Sequence, residues 1–153
     1  MSTRAILSLK KAKISFEVIT YQHDHKGAAF AAHATGIPLE QTIKTLIAGL
    51  GERRYVAALV PGDKQLDLKL LARVFQVKTA GMADVPTAQR LSGYTVGGIS
   101  PFGMQQHLES VIEKSVLKYS SIAINAGKRG LMLHMAPQDI VRVLECRVAT
   151  IAR

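Results

Sequence analysis

Two short apolar runs, Ile43 to Leu50 and Tyr55 to Val60, flank the turn Gly51-Glu52-Arg53-Arg54. No other stretch constrains the fold as tightly, because apolar runs joined by a polar glycine turn read as a β-hairpin. The pattern recurs where Ser121 to Asn125 and Leu131 to Met135 flank Gly127-Lys128-Arg129-Gly130. Ile14 to Tyr21, Val111 to Glu113 and Arg147 to Ile151 add further strands. Short helices are expected between them: Thr3 to Ala12 capped by Ser2 or Thr3, and Ala28 to Thr35 stopped by Gly36 and Pro38. Asp67 caps a helix presenting Leu68, Leu71, Val74 and Phe75, Asp84 caps one ending near Gly93, and Pro137 opens the last. Hairpins mixed with short helices argue against a strict βαβ repeat. The expectation is one α+β domain over residues 1–153, with a mixed β-sheet flanked by short helices.

A chain of 153 residues fits a single domain, which buries about 70% of the surface its unfolded form exposes. The single cysteine, Cys146, has no intramolecular partner and reads as a buried structural thiol. Lys10, Lys11 and Lys13 interrupt the apolar residues near the start, so no signal-peptide core is present. Nor is any apolar run long enough to span a bilayer. A cytoplasmic protein is expected. Twenty Lys and Arg against eleven Asp and Glu give a formal charge of +9, which suits a polyanionic partner but equally a soluble basic enzyme.

The stretch Tyr94 to Gly103 holds three glycines, a proline and a serine after a short β-prone run. Gly97 and Gly98 can turn successive N–H groups toward a phosphate or an oxyanion, or simply end a strand. Lys44 interrupts an apolar strand, and alternation sets it on one face with Leu46 and Ala48. If that face also borders the glycine loop, an ammonium and several N–H donors surround one site. Lys128 and Arg129 are candidate phosphate contacts, or a solvated hairpin turn. His23-Asp24-His25 has ligand chemistry but no recognisable zinc spacing to His33, His107 or His134, and no metal or other cofactor is expected. Ser100 and Cys146 are possible nucleophiles without a motif around them.

Thr20-Tyr21-Gln22-His23-Asp24, Phe30, Lys44-Thr45-Leu46, Gln65-Leu66-Asp67-Leu68-Lys69, Ser92-Gly93-Tyr94, Gly97-Gly98-Ile99-Ser100-Pro101 and Gly127-Lys128-Arg129-Gly130-Leu131 resemble, in order, the bacterial YbaK family. Those proteins are free-standing relatives of the prolyl-tRNA synthetase editing domain. The resemblance implies a deacylase that removes a wrong amino acid, typically cysteine, from tRNA(Pro), with prolyl-tRNA synthetase as a further partner. It makes Lys44 and Gly98 catalytic, and gives substrate-binding roles to Tyr21, Phe30, Thr45, Gly97, Ile99, Ser100, Pro101 and Met132. It also implies that the substrate's own thiol attacks the ester. Met132 stands where the family's best-known member has aspartate, Phe102 replaces a leucine, and the interval from Phe30 to Lys44 is shorter. All three bear on pocket shape and hence on which amino acid is removed. A non-catalytic tRNA- or synthetase-binding module and a small-molecule esterase are the competing readings.

Overall fold

A computed structural model describes residues 2–22 and 27–153 and contains the expected hairpin. Its strands, β2 (Thr42–Gly49) and β3 (Tyr55–Pro61), pair antiparallel from Ile43 opposite Pro61 to Gly49 opposite Tyr55. The second hairpin joins β6 (Ile122–Lys128) and β7 (Leu131–Met135). Its register shifts between Asn125 and Lys128, which places Gly127 and Lys128 in the strand and leaves Arg129 and Gly130 as the turn. β1 (Glu17–Thr20) runs antiparallel to β7. The hairpins meet where β6 lies parallel to β2, and β5 (Glu109–Glu113) and β8 (Arg147–Ala149) continue the sheet beyond β3 in parallel. The strand order is β1-β7-β6-β2-β3-β5-β8, and β4 (Gly81–Met82) adds to β2, making eight strands.

Five α-helices cover the two faces. Thr3 caps α1 (Arg4–Lys11), accepting from Ile6 N–H at 3.1 Å, while its own hydroxyl donates to Ala126 O at 2.6 Å. Ile6 and Leu9 thereby enter the core beneath Ile124, Leu131 and Leu133, which Ile140 of α5 (Pro137–Leu144) also joins. On the opposite face α2 (Ala28–Thr35) packs Ala31 against Ala123 and Met132. There α3 (Leu68–Val74), capped by Asp67, sets Leu71 against Ala48, Val56 and Val111. α4 (Val85–Ser92), capped by Asp84, lies on the α1 face over Ile47 and Ala57.

The β-prone residues Tyr94 to Val96 form no strand. Tyr94 is used as a core anchor: its ring is buried and its hydroxyl donates to Phe102 O. The strand expected over Ile14 to Tyr21 begins at Glu17, since Ile14 is buried below the sheet beside α1. The last strand stops at Ala149, and Ile151 instead donates its N–H to the Glu113 side chain. The two-residue strand β4 carried no periodic signal. Among the described residues no helix is long and apolar enough to cross a membrane.

Candidate active site

The strand β2 lacks a neighbour halfway along one edge. It pairs with β6 at Thr42 and Ile43 and with β4 at Ala48 and Gly49, so residues 44–47 have β3 on one side and no strand on the other. Ala83 N–H closes the far end of this gap by donating to Ile47 O at 3.0 Å. Alternation turns the main-chain groups of Thr45 toward the same edge, so its N–H and C=O face the opening.

A cavity of about 540 Å³ fills the gap and reaches both faces of the sheet. Lys44 lines it from the α2 face, as do Thr42, Leu46, Tyr21 and Met132. Thr45, Ile43 and Ile47 line it from the α4 face, together with Val96, Gly97 and Ile99. Lys44 does share a face with Leu46 and Ala48, but the glycine loop lies on the other side. The gap joins them, because neighbouring strand residues point to opposite faces and only a break in the sheet lets one ligand meet both.

The loop is held by its carbonyls. Gly98 N–H donates to Thr95 O at 2.9 Å, Arg129 Nη2 to Val96 O at 3.2 Å and Asn125 Nδ2 to Gly97 O at 3.1 Å. Gln89 Oε1 accepts from Val96 N–H at 2.9 Å. With these contacts made, the N–H groups of Gly97 and Ile99 donate to no acceptor among the described residues, and both residues border the cavity. Gly97 has φ +98°, a conformation that side chains disfavour. Donors freed in this way suit an oxyanion or phosphate oxygen. Lys44 makes no ion pair among the described residues.

The remaining candidates fall outside the cavity wall. Phe30 stands behind Tyr21, their ring centroids 6.3 Å apart. Gly98 packs against the β6–β7 turn and does not have a positive φ. Ser100 is fully buried, and its hydroxyl accepts from Phe102 N–H at 3.3 Å. Pro101 borders a different cavity with Phe102 and Ser110. Lys128 is exposed, whereas the Arg129 guanidinium lies against Gly97. Cys146 is buried beside α5, and desolvation pushes its thiol up. His23-Asp24-His25 lies outside the described residues. Asn125 and Gln89 escaped the sequence reading. The available signal was Asn125 two residues before Gly127, since an Asn side chain satisfies such a backbone bend, as Asn125 Oδ1 does here by accepting from Gly127 N–H at 2.9 Å.

Among the described residues, then, an ammonium without an ion pair and two main-chain N–H groups without an acceptor border one cavity, an arrangement that suits a small ligand bearing a carbonyl or phosphate oxygen. The chain belongs to the aminoacyl-tRNA editing domain family, whose model matches residues 23–143. It is 30% identical to EbsC of Enterococcus faecalis, named as a candidate Cys-tRNA(Pro)/Cys-tRNA(Cys) deacylase, over 97% of this chain and 92% of that one. It is 27% identical to the multifunctional Ser/Thr-tRNA deacylase ProXp-y of Escherichia coli K12, over 98% and 92% respectively. A solved structure of a candidate trans-editing enzyme for prolyl tRNA synthetase superposes with a TM-score of 0.90 at 22% identity, covering 100% of this chain and 99% of that one. The mixed-sheet α+β fold is therefore the family's fold.

Proposed function

We propose that this protein is a trans-editing deacylase that removes a small wrong amino acid, foremost cysteine, from tRNA(Pro), and so works in the cytoplasm. The observation that carries the reading is the cavity at the gap in β2, which Lys44, Gly97 and Ile99 all line, the latter two with N–H groups that meet no acceptor among the described residues. In this reading the ammonium positions the terminal nucleotide of the tRNA, and the loop donors receive the carbonyl oxygen as it gains charge.

Neither of the protein's own candidate nucleophiles lines that volume. Ser100 is buried with its hydroxyl engaged, and Cys146 lies under α5. Attack by the substrate's thiol needs neither. The cysteinyl sulfur gives up its proton and bonds to the ester carbonyl carbon, the carbon–oxygen bond to the ribose breaks, and the departing ribose oxygen takes the proton. The products are free tRNA and cysteine thiolactone. Tethering the thiol to the ester it attacks supplies a large effective concentration, leaving orientation and oxyanion binding to the protein. The name of the Enterococcus relative supports cysteine as the amino acid, and the resemblance to prolyl-tRNA synthetases supports tRNA(Pro), with the synthetase as a possible second partner.

The test is release of free tRNA from Cys-tRNA(Pro), with the first amino-acid product captured, in the presence and absence of prolyl-tRNA synthetase. Thiolactone appearing before free cysteine is the expected result, with Ser100→Ala and Cys146→Ala retaining the activity. Binding without release would leave a tRNA-binding module in place of the enzyme. Release of cysteine without thiolactone would replace the thiol by water.

A further inference from the structure

The loop at the cavity is soft by sequence and held by its contacts. Gly97 and Gly98 are consecutive glycines, so the peptide planes they join turn over at little cost unless something grips them. Side chains from three separate elements do so. Gln89, on α4, accepts from Val96 N–H at 2.9 Å through Oε1. Arg129, in the β6–β7 turn, donates to Val96 O at 3.2 Å. Asn125, on β6, donates to Gly97 O at 3.1 Å through Nδ2, while its Oδ1 accepts from Gly127 N–H at 2.9 Å. The two ends of the Asn125 amide cannot be exchanged, because its nitrogen faces a carbonyl and its oxygen faces an N–H.

These contacts fall on successive peptide planes. Gln89 holds the plane that ends in the Val96 N–H. Asn125 holds the plane of Gly97 O, whose other end, Gly98 N–H, donates to Thr95 O at 2.9 Å. The plane between them carries Val96 O and the Gly97 N–H, which meets no acceptor among the described residues. A trans peptide is planar with its C=O and N–H opposed, so this N–H points away from the Arg129 guanidinium. Gly97 lines the cavity and Arg129 does not. One hydrogen bond at Val96 O leaves the middle plane able to pivot, and the grip on its two neighbours removes that freedom. We propose that Gln89 and Asn125 are positioning residues of the editing reaction, clamping the peptide planes on either side of the Gly97 N–H and so holding that donor for the ester carbonyl oxygen as it gains charge. The proposal rests on the deacylase reading above and adds to it the side chains that preorganise the glycine loop.

The two amides face the loop with opposite ends, so the same amide-to-acid change has opposite effects. Gln89→Glu keeps the oxygen that accepts from Val96 N–H. Asn125→Asp keeps the oxygen that accepts from Gly127 N–H and loses the nitrogen that donates to Gly97 O. Both add one negative charge, so each controls for charge in the other. The measurement is kcat and KM for wild type, Gln89→Ala, Gln89→Glu and Asn125→Asp on whichever of Cys-, Ser- and Ala-charged tRNA(Pro) wild type deacylates fastest, with rates referred to the folded fraction from circular dichroism. Gln89→Ala and Asn125→Asp should lower kcat about tenfold or more, short of the roughly 10²–10³ that follows outright loss of an oxyanion donor, with KM little changed. Gln89→Glu should restore most of the rate that Gln89→Ala loses, which a structural or general charge effect would not do. Wild-type kcat in Gln89→Ala or Asn125→Asp, a Gln89→Glu rate as low as that of Gln89→Ala, or a loss carried by KM alone would overturn the proposal. Should the variants at one position fail to fold, those at the other decide. Wild type separates the two failures: if it releases tRNA, only the positioning role falls; if it deacylates none of the three, the enzyme reading falls and this proposal with it.

Discussion

A Cβ on Gly98 would lie 2.9 Å from the main-chain nitrogen of Arg129. The carbonyl carbon and Cα of Lys128 would both be 3.0 Å away, so the three nearest neighbours are all backbone and none can swing aside. Gly98 is thus a packing glycine: it lets the loop sit flush on the β6–β7 turn. Its role reaches the cavity through Gly97 and Ile99 on either side.

Gly98→Ala should therefore cost stability as well as activity, by about 1–3 kcal/mol if the loop shifts to relieve the overlap. Chemical denaturation and deacylation of Cys-tRNA(Pro) measured on the same preparation test this. Wild-type stability with lost activity would point instead to a clash with ligand.

Lys44→Ala should abolish deacylation and leave the denaturation midpoint close to wild type, because the residue lines the cavity and makes no ion pair among the described residues. Lys44→Arg should also be poor, since a planar guanidinium does not replace a compact ammonium in a confined site. A folded Lys44→Ala protein with wild-type turnover would remove Lys44 from the mechanism.

Lys128 and Arg129 are adjacent in sequence and different in structure. Arg129 donates to Val96 O and covers Gly97, whereas Lys128 is exposed at the end of β6. Lys128→Ala should weaken tRNA binding and flatten its salt dependence, with the log–log slope changing by about 1 per lost phosphate contact. Arg129→Ala should lower turnover at saturating tRNA by freeing the loop. Filter binding across a salt series, combined with saturating kinetics, separates these outcomes. Identical behaviour of the two variants would contradict the division.

The hairpins, three helix caps, one helix-opening proline and the glycine loop were legible because each depends on local chemistry. Gly51 to Arg54 can only turn, and Thr3, Asp67 and Asp84 supply the oxygens that a helix start needs. Pro137 similarly fits a first helical turn. The gap in the sheet left no such mark. It arises because β6 bulges between Asn125 and Lys128 and leaves β2 after Ile43, while β4 rejoins β2 only at Ala48. A cavity made where two non-local strands part company has no periodicity to read. For the same reason Lys44 and the glycine loop look from sequence like occupants of one face, although they meet only through the opening.

Glu113 ties the end of the chain to the sheet, and its chemistry sets an acid limit on stability. Its side chain is buried and accepts from Ile151 N–H at 2.9 Å, Ala152 N–H at 3.0 Å and Ser115 N–H at 2.9 Å. Burial alone would raise the carboxyl, but the main-chain donors outweigh it and hold the folded-state value below the ordinary one. A carboxyl lowered by folding stabilises the protein above its unfolded-state value. That contribution is lost as pH falls through the unfolded value and toward the folded one. Denaturation midpoints should thus decline on acidification below about pH 4.5. Glu113→Gln keeps one acceptor oxygen, cannot ionise, and brings an amide donor to a place built from donors. It should be less stable than wild type near neutrality by about 1–3 kcal/mol and less sensitive to acid, so that the two curves converge at low pH. Parallel curves across the acid range would show that the titration of Glu113 does not contribute to acid unfolding.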